Sequence, residues 1–128
     1  MYKRQVQSDV AAAGLHDLLL LFCGKRRLMQ VEGLSMWPTL RPSDRLLVKP
    51  FQRGGALPSP GQILVCRHPQ KTGVIITKRL ISIDRDRMIL QGDNPEMSTD
   101  SRQFGSVPIP LLIGEVMAKV PMPGKADT

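Results

Sequence analysis

The stretch VIITKRLISI, at positions 74–83, decides the fold class of this chain. It is rich in β-branched residues, which pack well on a pleated sheet, and it is the strongest strand that the sequence predicts. A polar turn at 84–87 and a second apolar run at 88–91 follow it. Together the three segments predict a β-hairpin.

Further strands and a single helix are predicted around this hairpin. Segments rich in glycine, proline and small polar residues predict loops at 33–44, 53–61 and 92–110. A helix is predicted over 9–23, with Asp9 as its cap and Gly24 at its end. The remaining strands are predicted at 28–31, 45–48, 63–67 and 114–120. The sequence therefore predicts a mainly antiparallel β fold, closed or nearly so, with an N-terminal helical segment (1–24) and a β domain (25–128).

The composition is typical of one globular domain. The chain has 128 residues, of which 41% are hydrophobic and 23% charged, enough for a single core. Its net charge of +7 is compatible with a nucleic acid, an anionic membrane or an acidic substrate as partner. The basic residues are dispersed except for KRR at 25–27, and no nucleic-acid-binding motif accompanies that run. We therefore predict a solvated basic surface and no nucleic-acid partner.

The cysteines and histidines predict neither a metal site nor a disulfide. Cys23 and Cys66 lie far apart and outside any CxxC pair, and His16 and His68 do not complete a ligand set of normal spacing. No metal or other cofactor is therefore expected. Two free thiols are typical of a reducing compartment, so we predict a cytoplasmic protein.

The apolar segment near the N-terminus has two interpretations. Its uninterrupted part, at 18–23, is far shorter than the roughly 20 residues of a spanning helix. It resembles neither a transmembrane anchor nor a cleavable signal peptide. We predict a short helix packed on the domain. The alternative is a weak membrane-surface contact by residues 10–27, assisted by the KRR run.

Lys78 has an apolar setting within the predicted hairpin. Alternate residues of a strand share a face, so Lys78 lies with Ile76 and Leu80, and burial there favours the neutral amine. Arg79 lies on the opposite face, and alternation alone does not decide which face is inside. Taken alone, the strand also fits an exposed edge lysine that prevents aggregation.

A serine on a stiff loop is a candidate nucleophile for such a base. In GLSMWPTL, at 33–40, Ser35 follows Gly33, whose missing side chain leaves room for a substrate backbone, and Pro38 stiffens the loop. A serine hydroxyl needs a proton acceptor, and a lysine with a lowered pKa is one. We assign Gly33, Met36 and Pro38 to substrate binding. A serine in such a loop is also common without any catalytic role.

The stretch GDNPEMSTDSR, at 92–102, contains candidates for the groups that orient this lysine. Asp100 and Arg102 are placed to form a pair. Ser98 is a candidate hydrogen-bond partner of the Lys78 amine, which is the task of the third group in a catalytic triad. The alternative is a solvated turn held by local side-chain hydrogen bonds.

Together these segments resemble the type I signal peptidase family of serine proteases. The resemblance rests on four blocks in the same order: SMWPTL at 35–40, DRLLV at 44–48, Lys78-Arg79, and the stretch at 92–102. It implies that the β domain is a Ser-Lys peptidase domain with a signal-peptidase-like or LexA-like antiparallel β fold.

The resemblance also implies a role for each candidate residue. Ser35 would be the nucleophile and Lys78 the general base. Ser98 would position the lysine amine, and Asp100 with Arg102 would support the site. The backbone N–H of Ser35 would contribute to the oxyanion hole.

Three departures from the family pattern narrow the resemblance to one group within the family. Gly33 stands where some members place an additional oxyanion hydroxyl, so this donor is missing. The usual transmembrane anchor and the large insertion of many bacterial members are also absent from the sequence. With these features the chain most resembles the nickel-type superoxide dismutase maturation proteases. The implied substrate is the N-terminal extension of the superoxide dismutase precursor.

Three alternative functions remain open from the sequence. One is general signal-peptidase-like processing of secreted precursors at a membrane. A second is a LexA-like self-cleaving regulator, for which Ala13-Gly14 is a candidate bond between small residues. A third is a basic binding module without catalysis, which the presence of both Ser35 and Lys78 disfavours.

Overall fold

A computed structural model describes residues 10–121 of the chain. Asp9, the predicted helix cap, lies outside this range. The elements in chain order are α1 (Leu15–Phe22), β1 (Arg27–Gln30), β2 (Arg45–Pro50), β3 (Ile63–Arg67), β4 (Ile75–Asp84), β5 (Arg87–Gln91), α2 (Ser101–Phe104), β6 (Val107–Pro108) and β7 (Leu112–Val120). Two short 3₁₀ turns, Pro95–Met97 and Ile109–Leu111, precede α2 and β7.

The seven strands form one curled antiparallel sheet in the order β1-β2-β7-β3-β4-β5-β6. The predicted mainly antiparallel β fold is confirmed. All six predicted strands are present, and their ends differ from the prediction by no more than two residues. The last long strand, β7, lies between β2 and β3 and so joins the two halves of the sheet.

The core lies on both faces of the central strand β3. Ile63 and Val65 pack with one aliphatic cluster, which also holds Met36. Leu64 and Cys66 point to the other face and pack with a second cluster. Because side chains alternate along a strand, this double burial means that the curled sheet covers β3 from both sides.

The helix predicted over 9–23 is shorter than expected, because it begins at Leu15. Residues 11–13 are extended instead and pair with the end of β7. Ala13 N–H donates to Lys119 O (2.7 Å), and Lys119 N–H donates to Ala11 O (2.9 Å). These bonds to the sheet replace the helical hydrogen bonds that the alanines would otherwise make. At the other end the prediction is confirmed, since Gly24 has a φ of +79° and follows the last helical turn.

The segment 92–110, predicted as a loop, contains more structure than expected. Asp100 caps the short helix α2, since its side chain accepts from Arg102 N–H (3.1 Å) and its own N–H donates to Gln103 Oε1 (2.8 Å). This reciprocal capping box stabilises a helix too short for periodicity to reveal. Among the helices of residues 10–121, none has the length and apolar character to cross a bilayer.

Candidate active site

Lys78 lies in the middle of β4 and is 4% exposed. Its Nζ donates a hydrogen bond to Ser98 Oγ over 2.9 Å. The alternative of an exposed edge lysine is therefore wrong. β4 is covered on both faces here, because Lys78, Arg79 and Leu80 are all buried in succession.

Asp100 anchors the far side of this contact. It is fully buried, and its Oδ2 accepts from Ser98 Oγ (2.6 Å) and from Gly92 N–H (2.8 Å). Arg102 forms a two-pronged pair with it, Nη2 to Oδ2 at 2.6 Å and Nε to Oδ1 at 2.9 Å. A lysine, a serine hydroxyl, a carboxylate and a guanidinium thus form one continuous chain of hydrogen bonds.

The direction of these bonds fixes the orientation of the lysine amine. Ser98 Oγ gives its only proton to Asp100, so it can only accept from Lys78. A neutral amine that donates one N–H to Ser98 keeps its lone pair for another proton donor. This series of hydrogen bonds therefore holds the Lys78 amine in an orientation suited to a general base.

Burial and hydrogen bonding set the pKa values of Lys78 and Asp100. Desolvation lowers the pKa of Lys78 below its ordinary value, with Arg102 adding to this and the charge of Asp100 opposing it. Burial alone would raise the pKa of Asp100, but hydrogen bonds from Arg102, Ser98 and Gly92 N–H outweigh it and hold that pKa well below its usual range. The site therefore keeps the carboxylate charged and makes the lysine easier to deprotonate than an exposed lysine.

Ser35 reaches the same site from the other half of the chain. It lies half-buried in the turn after Gly33, whose φ is +81°. Its carbonyl accepts from Asn94 N–H (2.9 Å), and Asn94 Nδ2 donates to Leu34 O (3.0 Å). Ser35 and Lys78 line one groove of about 630 Å³. The structure thus brings together the loop that carries Ser35 (residues 33–44, the serine loop), β4 and the turn after β5.

Gly92 is a part of the site that the sequence analysis did not single out. A Cβ atom at this position would lie 2.5 Å from Ser35 O and 2.7 Å from Cβ of Ser98, closer than real contacts allow. Only glycine lets the exit of β5 pass between the serine loop and Ser98. A glycine directly before Asp93 and Asn94 was the available signal.

A second ion pair on the opposite face of β4 was also missed. Arg79 holds Asp93 with two bonds (2.9 and 2.7 Å) and donates to Gly61 O (2.7 Å). Thr39 Oγ1 donates to Asp93 Oδ2 (2.5 Å), which ties the serine loop to β4. The Arg79 side chain and the Lys78 side chain therefore serve the two faces of one strand.

The residues assigned to substrate binding have different surroundings. Gly33 and Met36 line the groove, and Met36 is also 2% exposed and packs in the core. Pro38 is exposed and lies outside the residues that line the groove. Trp37, also exposed, has the Arg41 guanidinium 5.5 Å from its ring centre.

Other reactive groups are separate from this groove. Cys23 and Cys66 are both free thiols, and burial raises the pKa of Cys66 to about 12, so it is a poor nucleophile. Between residues 10 and 121, no three His, Cys, Asp or Glu side chains gather in a metal-binding arrangement. The expectation of a metal-free reaction stays a prediction.

Comparison with known proteins bears on this geometry. A family model described as signal peptidase, peptidase S26, matches residues 5–89, about two thirds of the chain. The chain belongs to the peptidase S26 signal peptidase family. The match contains Ser35 and Lys78 and ends before Ser98, Asp100 and Arg102.

Individual relatives of this peptidase S26 chain are named as mitochondrial proteases. It is 33% identical over 108 residues to mitochondrial inner membrane protease subunit 1 of Xenopus tropicalis, covering 69% of the chain and 65% of that relative. It is 32% identical over 111 residues to mitochondrial ATP-independent inner membrane protease subunit 1b of Arabidopsis thaliana, covering 69% and 66%. The human subunit 1 is 28% identical over 108 residues, covering 69% and 65%. The chain thus spans slightly less than two thirds of the length of these relatives.

Proposed function

We propose that this chain is a serine endopeptidase in which Ser35 is the nucleophile and Lys78 the general base. The observation that carries the proposal is the buried lysine, fixed by Ser98, that shares a groove with a serine from a distant loop. Family membership and relatives named as proteases support the same activity.

The reaction begins with proton transfer from Ser35 Oγ to the free lone pair of neutral Lys78 as Oγ attacks the scissile carbonyl carbon. The backbone N–H of Ser35 stabilises the oxyanion, and Gly33 contributes no hydroxyl there. The C–N bond then breaks, and the Lys78 ammonium gives its proton to the leaving amine. Water, activated by the same amine, hydrolyses the acyl-enzyme in the second half of the cycle.

The groove favours an extended peptide as substrate. The outer edge of β1 and the first half of β4 both line it, and within the described sheet neither edge has a strand on that side. A peptide lying between them would add main-chain hydrogen bonds to both edges, as in β-augmentation. A flexible N-terminal leader adopts this geometry, whereas a folded interior does not.

The proposed role is removal of an N-terminal leader from a precursor protein in the cytoplasm. The precursor of nickel superoxide dismutase is the first candidate substrate, on the sequence resemblance described above. The second candidate is a secretory precursor cut at a membrane, since the relatives are named as inner membrane proteases. Exposed apolar side chains near the groove, Leu34, Val74, Ile75 and Met97, favour the second candidate.

The test mixes purified chain with each precursor and reads the new N-terminus by intact mass and N-terminal sequencing. The Ser35→Ala variant is the matched control. A single cut in the superoxide dismutase precursor alone supports the first candidate, and a cut only at a signal sequence supports the second. Cleavage by Ser35→Ala as fast as by the wild type would overturn the proposed nucleophile. Loss of residues 1–13 from the incubated chain itself would instead indicate a self-cleaving regulator.

A further inference from the structure

A second cavity, of about 580 Å³, lies at the other end of β1 from the groove and shares no lining residue with it. Its volume is within the roughly 300–1,000 Å³ that is typical of small-molecule sites. Basic side chains from two segments line it, Lys25 and Arg26 before β1 and Lys49 from β2. Apolar residues of the loop after β2, among them Leu57, form another part of its wall.

Among residues 10–121, no carboxylate forms an ion pair with the basic side chains of this cavity. Arg26 Nε is buried and has no hydrogen-bond partner among residues 10–121, while Nη1 donates to Lys25 O (2.8 Å). Within the same residues, neither Lys25 nor Lys49 forms an ion pair. Buried donors are almost always paired, so the unpaired Nε is an unusual feature in the wall of this cavity.

One acidic residue lines the cavity together with these basic residues. Glu115 lines the cavity and accepts a hydrogen bond from Gln62. Three basic groups against one carboxylate leave a net positive cavity, which favours an anion. A phosphate offers several acceptor oxygens, which suits an arginine and two lysines better than a neutral ligand does.

An exposed apolar stripe leads directly into this cavity. On α1, Leu15 is 74% exposed, Leu19 53% and Phe22 85%, and their spacing places them on one side of the helix. The helix ends two residues before Gly24, which lines the cavity. An apolar helix face followed by basic residues is typical of segments that lie in the interface of an anionic bilayer.

We propose that this cavity binds the phosphate of an anionic phospholipid headgroup while the α1 stripe enters the membrane interface. Lys25, Lys49 and the Arg26 guanidinium contact the phosphate, and Leu15, Leu19 and Phe22 contact the acyl boundary. The site is distinct from the peptidase groove, so its occupation holds the domain at a membrane surface without blocking substrate. This inference does not depend on which precursor is cleaved.

The test measures co-sedimentation of the full chain with vesicles of phosphatidylcholine alone and of an equimolar mixture with phosphatidylglycerol. We expect binding to the anionic vesicles only. The double variant Lys25→Gln/Lys49→Gln removes two exposed cavity charges and should weaken binding about 25-fold, since each basic residue near an anionic surface contributes about fivefold. Arg26→Gln should weaken it further, with folding checked by circular dichroism.

The matched control is Arg45→Gln/Arg67→Gln, which also removes two positive charges, but from exposed positions outside the cavity. Equal losses of vesicle binding in both double variants would mean diffuse charge attraction and would overturn the proposed phosphate site in the cavity. Phe22→Ser should weaken vesicle binding, whereas binding of soluble glycerol phosphate, measured by calorimetry, should be unchanged. Binding of glycerol phosphate without any vesicle binding would show a soluble ligand and refute the lipid assignment. So would a dimer in solution that Phe22→Ser converts to monomer, since the stripe would then be a subunit interface.

Discussion

The side chain of Lys78 shows how burial changes the chemistry of a residue. A lysine in a strand is ordinarily charged and solvated, but this one is enclosed and bonded to Ser98. Asp100 keeps its own charge because donor groups of three residues surround it, and its hydrogen bond to Ser98 fixes how Ser98 meets the lysine. The proton affinity of this amine is thus set by its neighbours as much as by its identity.

Replacing either Ser35 or Lys78 by alanine should abolish cleavage while the domain stays folded. In the proposed mechanism the two act as a unit, so we expect kcat to fall roughly 10⁴-fold or more in each single variant and little further in the double variant. Single-turnover cleavage of a leader peptide checks this, with circular dichroism as the folding control. Additive losses in the double variant would contradict a shared proton transfer.

The rate of cleavage should rise with pH, because only the neutral amine of Lys78 accepts a proton. Burial lowers the pKa of Lys78, so the rise should be centred below the ordinary lysine value of about 10.4. Lys78→Arg should be inactive at every pH, since arginine does not lose its proton. The measurement is kcat/KM against pH under conditions where chemistry is rate-limiting, and a flat profile would exclude lysine as the base.

At the scale of elements, the site depends on close approach between segments that are distant in sequence. The exit of β5 passes between the serine loop and Ser98 at Gly92. The Arg79–Asp93 pair, bonded to Thr39, ties the same loop to β4 from the opposite face. Ser35 is therefore positioned by backbone packing and by one ion pair together.

Gly92→Ala should reduce activity at least tenfold in protein that remains folded, because the added methyl group pushes Ser35 away from Ser98. Gly114→Ala is the matched control, since a Cβ there would lie 2.5 Å from Lys49 O, away from the groove. Both substitutions should lower the free energy of unfolding by about 1–3 kcal/mol. Urea unfolding with activity per folded molecule separates the two effects. Equal specific activity in both variants would show that Gly92 has only a packing role.

At the scale of the whole molecule, the curled sheet converts distant segments into one site. β7 joins the two halves, and β3 is buried on both faces, so the serine loop and the turn after β5 meet over β4. The same curl encloses Asp100 within the fold. The stability of the domain is therefore linked to the charge of that carboxylate.

Stability should fall as the pH decreases below about 4. The pKa of Asp100 is lowered in the folded state, so its contribution is complete above the unfolded value of about 3.9 and is lost as protonation proceeds below it. Asp100→Asn should cost roughly 2–4 kcal/mol at neutral pH and progressively less in acid. Urea unfolding at pH 7 and in acid checks this, with the exposed Asp84→Asn as control. A difference between Asp100→Asn and the wild type that stays constant over this pH range would disprove the linkage.

Local sequence determined most of the secondary structure of this protein and the identity of its candidate site residues. Alternating and β-branched runs predicted all the long strands, and Gly24 marked the end of α1, because side-chain shape and backbone freedom act over neighbouring residues. The blocks around Ser35, Lys78 and Asp100 indicated the family and the candidate site residues. The predicted start of α1 was wrong, because pairing of residues 11–13 with β7 competes with helix formation. No local sequence pattern reveals this pairing.

Only the tertiary structure decided how those residues are used. Alternation left open which face of β4 is inside, and the curled sheet buries both, placing Lys78 against Ser98 and Arg79 against Asp93. The close approach at Gly92 and the basic cavity beside α1 likewise arise from segments far apart in the chain. Sequence specifies local conformation through steric and propensity effects, whereas burial, pKa and cavities depend on which distant surfaces the fold brings into contact.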